Sequence, residues 1–159
     1  MASKDWLVKS VFNRGLYNFC LSRGGVKMGI LEWSDRLDIG VQDMNREHQH
    51  LLGIMNRLYD RNLAKAERAE IRGLLKELGD YTVKHFGDEE KYFDSIGFPD
   101  SQKHKLIHQD LLTKFTGHVA AFDKSGALDD SFFAFLKMWL SAHIQGVDMK
   151  YGEFSKGKK

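Results

Sequence analysis

The stretch HFGDEEKYFDSIGFPDSQKHKLIHQD, His85–Asp110, decides the fold. It holds three of the chain's seven histidines. His85 and Glu89 stand four positions apart, and so do His104 and His108. That spacing places each pair on one face of an α-helix. Gly97 and Pro99 stand between the pairs and interrupt a helical pattern. The stretch therefore reads as the end of one helix, a short turn and the start of the next. A short turn makes neighbouring helices antiparallel, which brings both pairs to the same end of a bundle. At ~1.5 Å per residue the two pairs lie within about a turn of the same level.

Working outward, four helical patterns follow one another from residue 40 onward. The first spans 43–61, with Asp43 as its cap and Met44, His48, Leu51, Leu52, Met55 and Leu58 on one stripe. The second spans 66–96, with an apolar stripe from Leu74 through Leu78 to Phe93 that carries His85 and Glu89. The third spans 101–123, capped by Asp100, with His104, His108, Leu111, Leu112, Phe115 and Val119. The fourth spans 130–153, capped by Asp129 or Asp130, with Phe132, Phe135, Leu136, Trp139, Leu140, His143, Ile144 and Val147. The expected fold class is all-α, an up-down-up-down four-helix bundle with an N-terminal arm. The arm is the irregular stretch 28–42, from which Trp33 and Leu37 are expected to pack on the bundle.

Bulk properties narrow the function. Lysine and arginine total 24 against 22 acids, a net charge of +2, and no basic block suggests nucleic acid. A single cysteine, Cys20, excludes an internal disulfide framework or a cysteine zinc site. No apolar run is long enough to span a bilayer, so a cytoplasmic location without an integral membrane segment is expected. Residues 1–27 carry five basic residues and one acid, and lack the unbroken apolar region of a signal peptide. They read first as a flexible extension. A membrane-surface or partner-binding helix is a second reading, since Leu7, Val8, Val11, Phe12, Leu16 and Phe19 can form an apolar face. A third is that translation starts at Met28, because Gly24–Met28 can be encoded by DNA containing a ribosome-binding sequence. Residues 28–155 then form the domain, and 156–159 a basic tail.

His48, His85, His104, His108 and His143 all fall on apolar stripes. One such histidine is ordinarily a core residue satisfied by a neighbour. Five of them with Glu89 in one small core are different, because each buried polar group without a partner costs about 1–3 kcal/mol. A metal satisfies them together: neutral imidazole turns a lone pair inward and its other nitrogen donates outward. Asp148 is harder to place. It follows His143 by five residues, about 140° around an ideal helix, which sends it to another face. A local π-bulge would return it, and such bulges favour functional sites. His50 and His118 fall away from the cluster, and Asp88 and Glu90 are expected to point outward.

The segments EHQHLL, HFGDEE, HKLIH and WLSAHIQGVDMKY resemble the hemerythrins, in particular the single-domain bacterial type called bacteriohemerythrin. The pattern of that family is an isolated His, then HxxxE, HxxxH and HxxxxD, and all four parts stand here in order over about residues 28–155. Up-and-down bundles include the myohemerythrins, so the fold is not independent of the resemblance once it is drawn. The resemblance implies two iron ions in an oxo- or hydroxo-bridged non-haem centre that binds O2 reversibly. It implies that His104, His108 and His143 hold one iron, that His48 and His85 hold the other, and that Glu89 and Asp148 bridge them. It maps a dry ligand pocket onto Leu51, Phe86, Trp139, Leu140 and Ile144, residues that also suit ordinary bundle core.

The function expected on this basis is oxygen carriage, storage or delivery, with an oxygen-consuming enzyme as a partner and no catalysis by the chain itself. An O2 or redox sensor is the alternative, ranked lower because no signalling domain is attached. An enzyme acting on peroxide or nitric oxide at the same centre is the third reading.

Overall fold

A computed structural model describes residues 29–157. The readings made for residues 1–27 lie outside the described residues, as do Lys158 and Lys159 of the basic tail. The described chain begins as an arm with a 3₁₀ turn at Asp35–Leu37. Helices α1 (Gln42–Leu63), α2 (Arg68–Ser95), α3 (Ser101–Ser125) and α4 (Asp130–His143) then run up, down, up and down. α4 continues through a π-helical segment, Ile144–Asp148, into α5 (Met149–Lys156). The fold is the expected all-α four-helix bundle.

The helix ends follow the local chemistry, with two differences from expectation. Asp100 holds the N-cap position of α3, but its side chain makes no capping hydrogen bond. α1 starts at Gln42 with Val41 at the N-cap, so Asp43 sits inside the first turn and caps nothing. Its carboxylate there still faces the positive end of the helix dipole. At the start of α4 the Asp129 side chain accepts the backbone N–H of Phe132 at 3.0 Å. Gly97 and Gly126 adopt φ of 63° and 76°, the left-handed conformation that ends a helix without a Cβ penalty. Gly126 N–H closes α3 by donating to the Phe122 carbonyl at 2.7 Å.

The predicted stripes form the core. Leu51, Leu52, Met55 and Leu58 from α1 meet Leu74, Leu75 and Leu78 from α2, Leu111 and Phe115 from α3, and Phe132, Leu136 and Leu140 from α4. Each such side chain, fully buried, contributes roughly 1.5–3 kcal/mol. The arm is tied down by two asparagines, Asn45 buried and Asn56 partly buried. Asn56 accepts the Ile30 N–H at 2.9 Å and donates to the Leu31 carbonyl at 2.9 Å. Asn45 accepts the Ile39 N–H at 3.1 Å and donates to Asp38 Oδ1 at 2.7 Å. Leu37 is buried and Trp33 packs partly buried against the core, as expected. Gly152 of α5 lies so close to the arm that a Cβ there would sit 2.2 Å from the Ile39 carbonyl oxygen.

Candidate metal centre

The antiparallel run of α2 into α3 brings His85, Glu89, His104 and His108 to one end of the bundle. α1 adds His48, and the α4–π–α5 rod adds His143 and Asp148. All seven side chains are buried, Glu89 and Asp148 completely. The π segment is what turns Asp148 inward. It widens one turn between His143 and Met149, so that Asp148 is buried while Val147, expected on the stripe, is only half-buried.

The side chains converge in two groups that share one member. Ligand atoms of Glu89, His104, His108 and His143 lie within 4.8 Å of one another, and so do those of His48, His85 and Glu89. Glu89 Oε2 is 3.1 Å from His108 Nε2, 3.8 Å from His104 Nε2 and 3.9 Å from His85 Nε2. Asp148 is divided in the same way. Its Oδ1 lies 3.1 Å from Nε2 of both His104 and His143, and its Oδ2 lies 3.3 Å from His48 Nε2. Nε2 of His143 also faces Nε2 of His108 at 3.2 Å.

These approaches leave polar atoms unserved. Among the described residues, both oxygens of Glu89, both oxygens of Asp148, both nitrogens of His48, Nδ1 of His104 and the Tyr151 hydroxyl are buried without a hydrogen-bond partner. Lone pairs from several side chains point at common space. A cation resolves that arrangement, and the mixed imidazole and carboxylate donors suit iron. The residues present therefore fit a metal.

Both carboxylates and His143 are held in the protonation states that a metal requires, whereas His108 would have to lose a proton to bind one. Burial pushes both carboxyls up, and the Asp148 charge adds to this at Glu89. The close approach of the His108 imidazole, and then the charges of His85 and His104, outweigh these at Glu89. His143, His104 and His48 do so at Asp148. Glu89 therefore titrates below the ordinary carboxylate range and Asp148 well below it. Burial lowers His143 to about 4 despite the pull of Asp148 and Glu89, so its imidazole is neutral near pH 7. His108 is raised: burial opposes its protonated form, but Glu89 and Glu90 favour it more. Tyr151, fully buried with its ring 5.9 Å from that of His104, is raised by burial and by the charges of Glu89 and Asp148, which keeps the phenol protonated.

Two outer carboxylates were not legible in the sequence. Glu47 Oε2 accepts from His85 Nδ1 at 2.9 Å, and Glu90 Oε1 accepts from His108 Nδ1 at 2.9 Å. Such bonds fix the tautomer that turns Nε2 inward. Glu90 is partly exposed, but contrary to expectation it reaches across the α2–α3 seam to His108. Asp88 pairs outward with Lys84 and Lys91, as expected. His50 is exposed and stacks on Tyr81 at 4.2 Å, and His118 packs against Phe135 at 5.0 Å, so both stand outside the cluster.

The five expected pocket residues, Leu51, Phe86, Trp139, Leu140 and Ile144, are all buried in the core. Phe86 lies flat on His108, ring centroids 3.7 Å apart, and its edge approaches Trp139 at 6.0 Å. Phe93 covers His104 at 4.9 Å.

A family model described as the hemerythrin HHE cation binding domain matches residues 39–154. The chain belongs to the hemerythrin family. A bacteriohemerythrin of Pseudomonas aeruginosa is 32% identical over 124 residues, 78% of this chain and 80% of that protein. A hemerythrin-like protein of Naegleria fowleri is 35% identical over 119 residues, 75% of this chain and 88% of the relative. Myohemerythrin of Riftia pachyptila is 31% identical over the same length. Among solved structures, a leucine-to-alanine variant of hemerythrin superposes with a TM-score of 0.72 at 28% identity, covering 79% of this chain and 97% of that one. Hemerythrins bind non-haem iron, and the buried histidine and carboxylate cluster supplies ligands for it. Among the described residues, no helix is long and apolar enough to cross a membrane.

Proposed function

We propose that this hemerythrin binds O2 reversibly at a centre of two iron ions and serves oxygen carriage, storage or delivery. The observation that carries the reading is the sharing of Glu89 between two ligand groups, together with the division of the two Asp148 oxygens between the same sides. His104, His108 and His143 would hold one iron, His48 and His85 the other, with Glu89 and Asp148 between them. Held by these residues, two ferrous ions would supply the electrons that reversible O2 binding requires.

The remaining work falls to the protein. Glu47 and Glu90 hold the outer protons of His85 and His108, which fixes both rings. Leu51, Phe86, Trp139, Leu140 and Ile144, all buried, would keep water and stray protons away from the metals and so protect reversible binding. A carboxylate at position 140 would admit water. Leu140→Asp is expected to speed autoxidation, measured as decay of the oxygenated visible spectrum; an unchanged rate removes Leu140 from the pocket.

The direct test is the visible spectrum of anaerobically reduced, iron-loaded protein before and after air. New absorption that appears with O2 and fades on deoxygenation, over repeated cycles, is expected. Immediate conversion to a stable ferric spectrum, or turnover of peroxide or nitric oxide, would favour an enzyme instead.

A further inference from the structure

The two outer carboxylates are chemically alike but differently surrounded. Glu47 spends its two oxygens on different partners: Oε2 accepts from His85, while Oε1 accepts from the Lys84 ammonium at 2.5 Å. Lys84 in turn donates to Asp88 at 2.8 Å, and Asp88 accepts from Lys91 at 3.0 Å. Charges thus alternate from the solvent-facing edge of α2 to His85. Lys84 also sits 5.4 Å over the Tyr81 ring, which limits where its head can go. Glu90 holds His108 with one oxygen, and among the described residues no lysine or arginine pairs with it.

A carboxylate shared with an ammonium is a weaker acceptor for the imidazole proton than one that is not. A weaker pull on Nδ1–H leaves Nε2 a poorer electron donor to a metal. A nearby positive charge also disfavours the more oxidised metal. Both effects act in one direction, and only on the side of the centre that His85 serves.

We propose that Lys84 is a positioning residue for the metal centre: through Glu47 it weakens electron donation by His85 and stabilises the reduced state on the His48/His85 side. The inference rests on the di-iron reading above. Burial plays little part, since Lys84 is about half exposed. Its ammonium is held charged by its bonds to Asp88 and Glu47, which raise its pKa above the ordinary lysine value.

The test compares wild type, Lys84→Met and Lys84→Arg. Methionine keeps the length of the side chain and removes the charge; arginine keeps the charge. Iron per chain and melting temperature are measured first, then the midpoint potential by anaerobic titration. Lys84→Met is expected to retain its iron, melt near wild type and shift to a lower midpoint potential, while Lys84→Arg stays at the wild-type value. A second readout uses diamagnetic zinc-loaded protein: the His85 Nδ1–H proton resonance is expected to move downfield in Lys84→Met while that of His108 stays in place. An unchanged potential with iron retained, an equal shift in Lys84→Arg, or equal movement of both histidine resonances would overturn the role of Lys84 and leave the di-iron reading standing. Wild-type protein that takes up no iron would overturn both.

Discussion

The two ends of the bundle bury opposite chemistry. At one end Leu58, Leu75, Phe122, Phe132 and Leu136 are almost fully enclosed, with apolar neighbours. At the other end five histidines and two carboxylates are enclosed as tightly. The apolar end stabilises the fold by itself, through transfer of side chains from water. The polar end costs about 1–3 kcal/mol for each unserved group until something binds there. The bundle is thus held at one end by its apolar core, and carries at the other a set of polar groups that a cation would satisfy. The arm joins the two, running from Asn56 on α1 to the π segment and α5.

The largest expected effect lies at the apolar end. Phe132→Ala should destabilise by about 3–5 kcal/mol, read by denaturant unfolding, while iron per folded chain stays at the wild-type value. Loss of iron in that variant would mean that the ends are not separable. Stripping the iron is the converse experiment. It should lower stability by about 2.7 kcal/mol or more where the metal had been present at 100 times its dissociation constant, with helical circular dichroism largely kept. Complete unfolding of the metal-free chain would deny the apolar end its role. A smaller effect is expected where the arm meets α5. Gly152→Ala drives a Cβ toward the Ile39 carbonyl and should cost about 1–3 kcal/mol as overpacking, with proteolysis first in the arm.

The smallest effect is a pH dependence in the arm. The Asp38 carboxyl is held below the ordinary range by the Gly40 N–H and then by the Asn45 side chain, which outweigh burial. Its contribution is therefore fully present above the unfolded value of about 3.9 and is lost as pH falls through the lower folded value. Asp38→Ala should melt slightly below wild type at pH 7. The gap should close in acid, below the folded value. A gap that widens on acidification would reverse the assignment.

Much of this was legible in the sequence because helices report their buried face through spacing. His85/Glu89 and His104/His108 repeat at four residues, and a short turn between antiparallel helices leaves one way to bring them together. What spacing cannot report is a change of helical pitch. His143 and Asp148 do not share a face of an ideal helix, and only the π segment at Ile144–Asp148 unites them. Nor does spacing report lateral reach. Glu47 and Glu90 each directly adjoin a ligand candidate in sequence, so periodicity turned them away from the core, yet their long side chains return to His85 and His108 across neighbouring helices. Asp43 failed as a cap for a simpler reason: α1 begins one residue earlier, and the ordered arm places Val41 at the cap position.

The most direct test of the central claim is anaerobic titration of ferrous iron into metal-free protein, with bound iron counted per chain in wild type and in Glu89→Ala. Two tightly bound irons in wild type, and weakened binding of both after loss of the shared carboxylate, are the predicted result. One iron at saturation, or two that are indifferent to Glu89, would contradict a centre built around it.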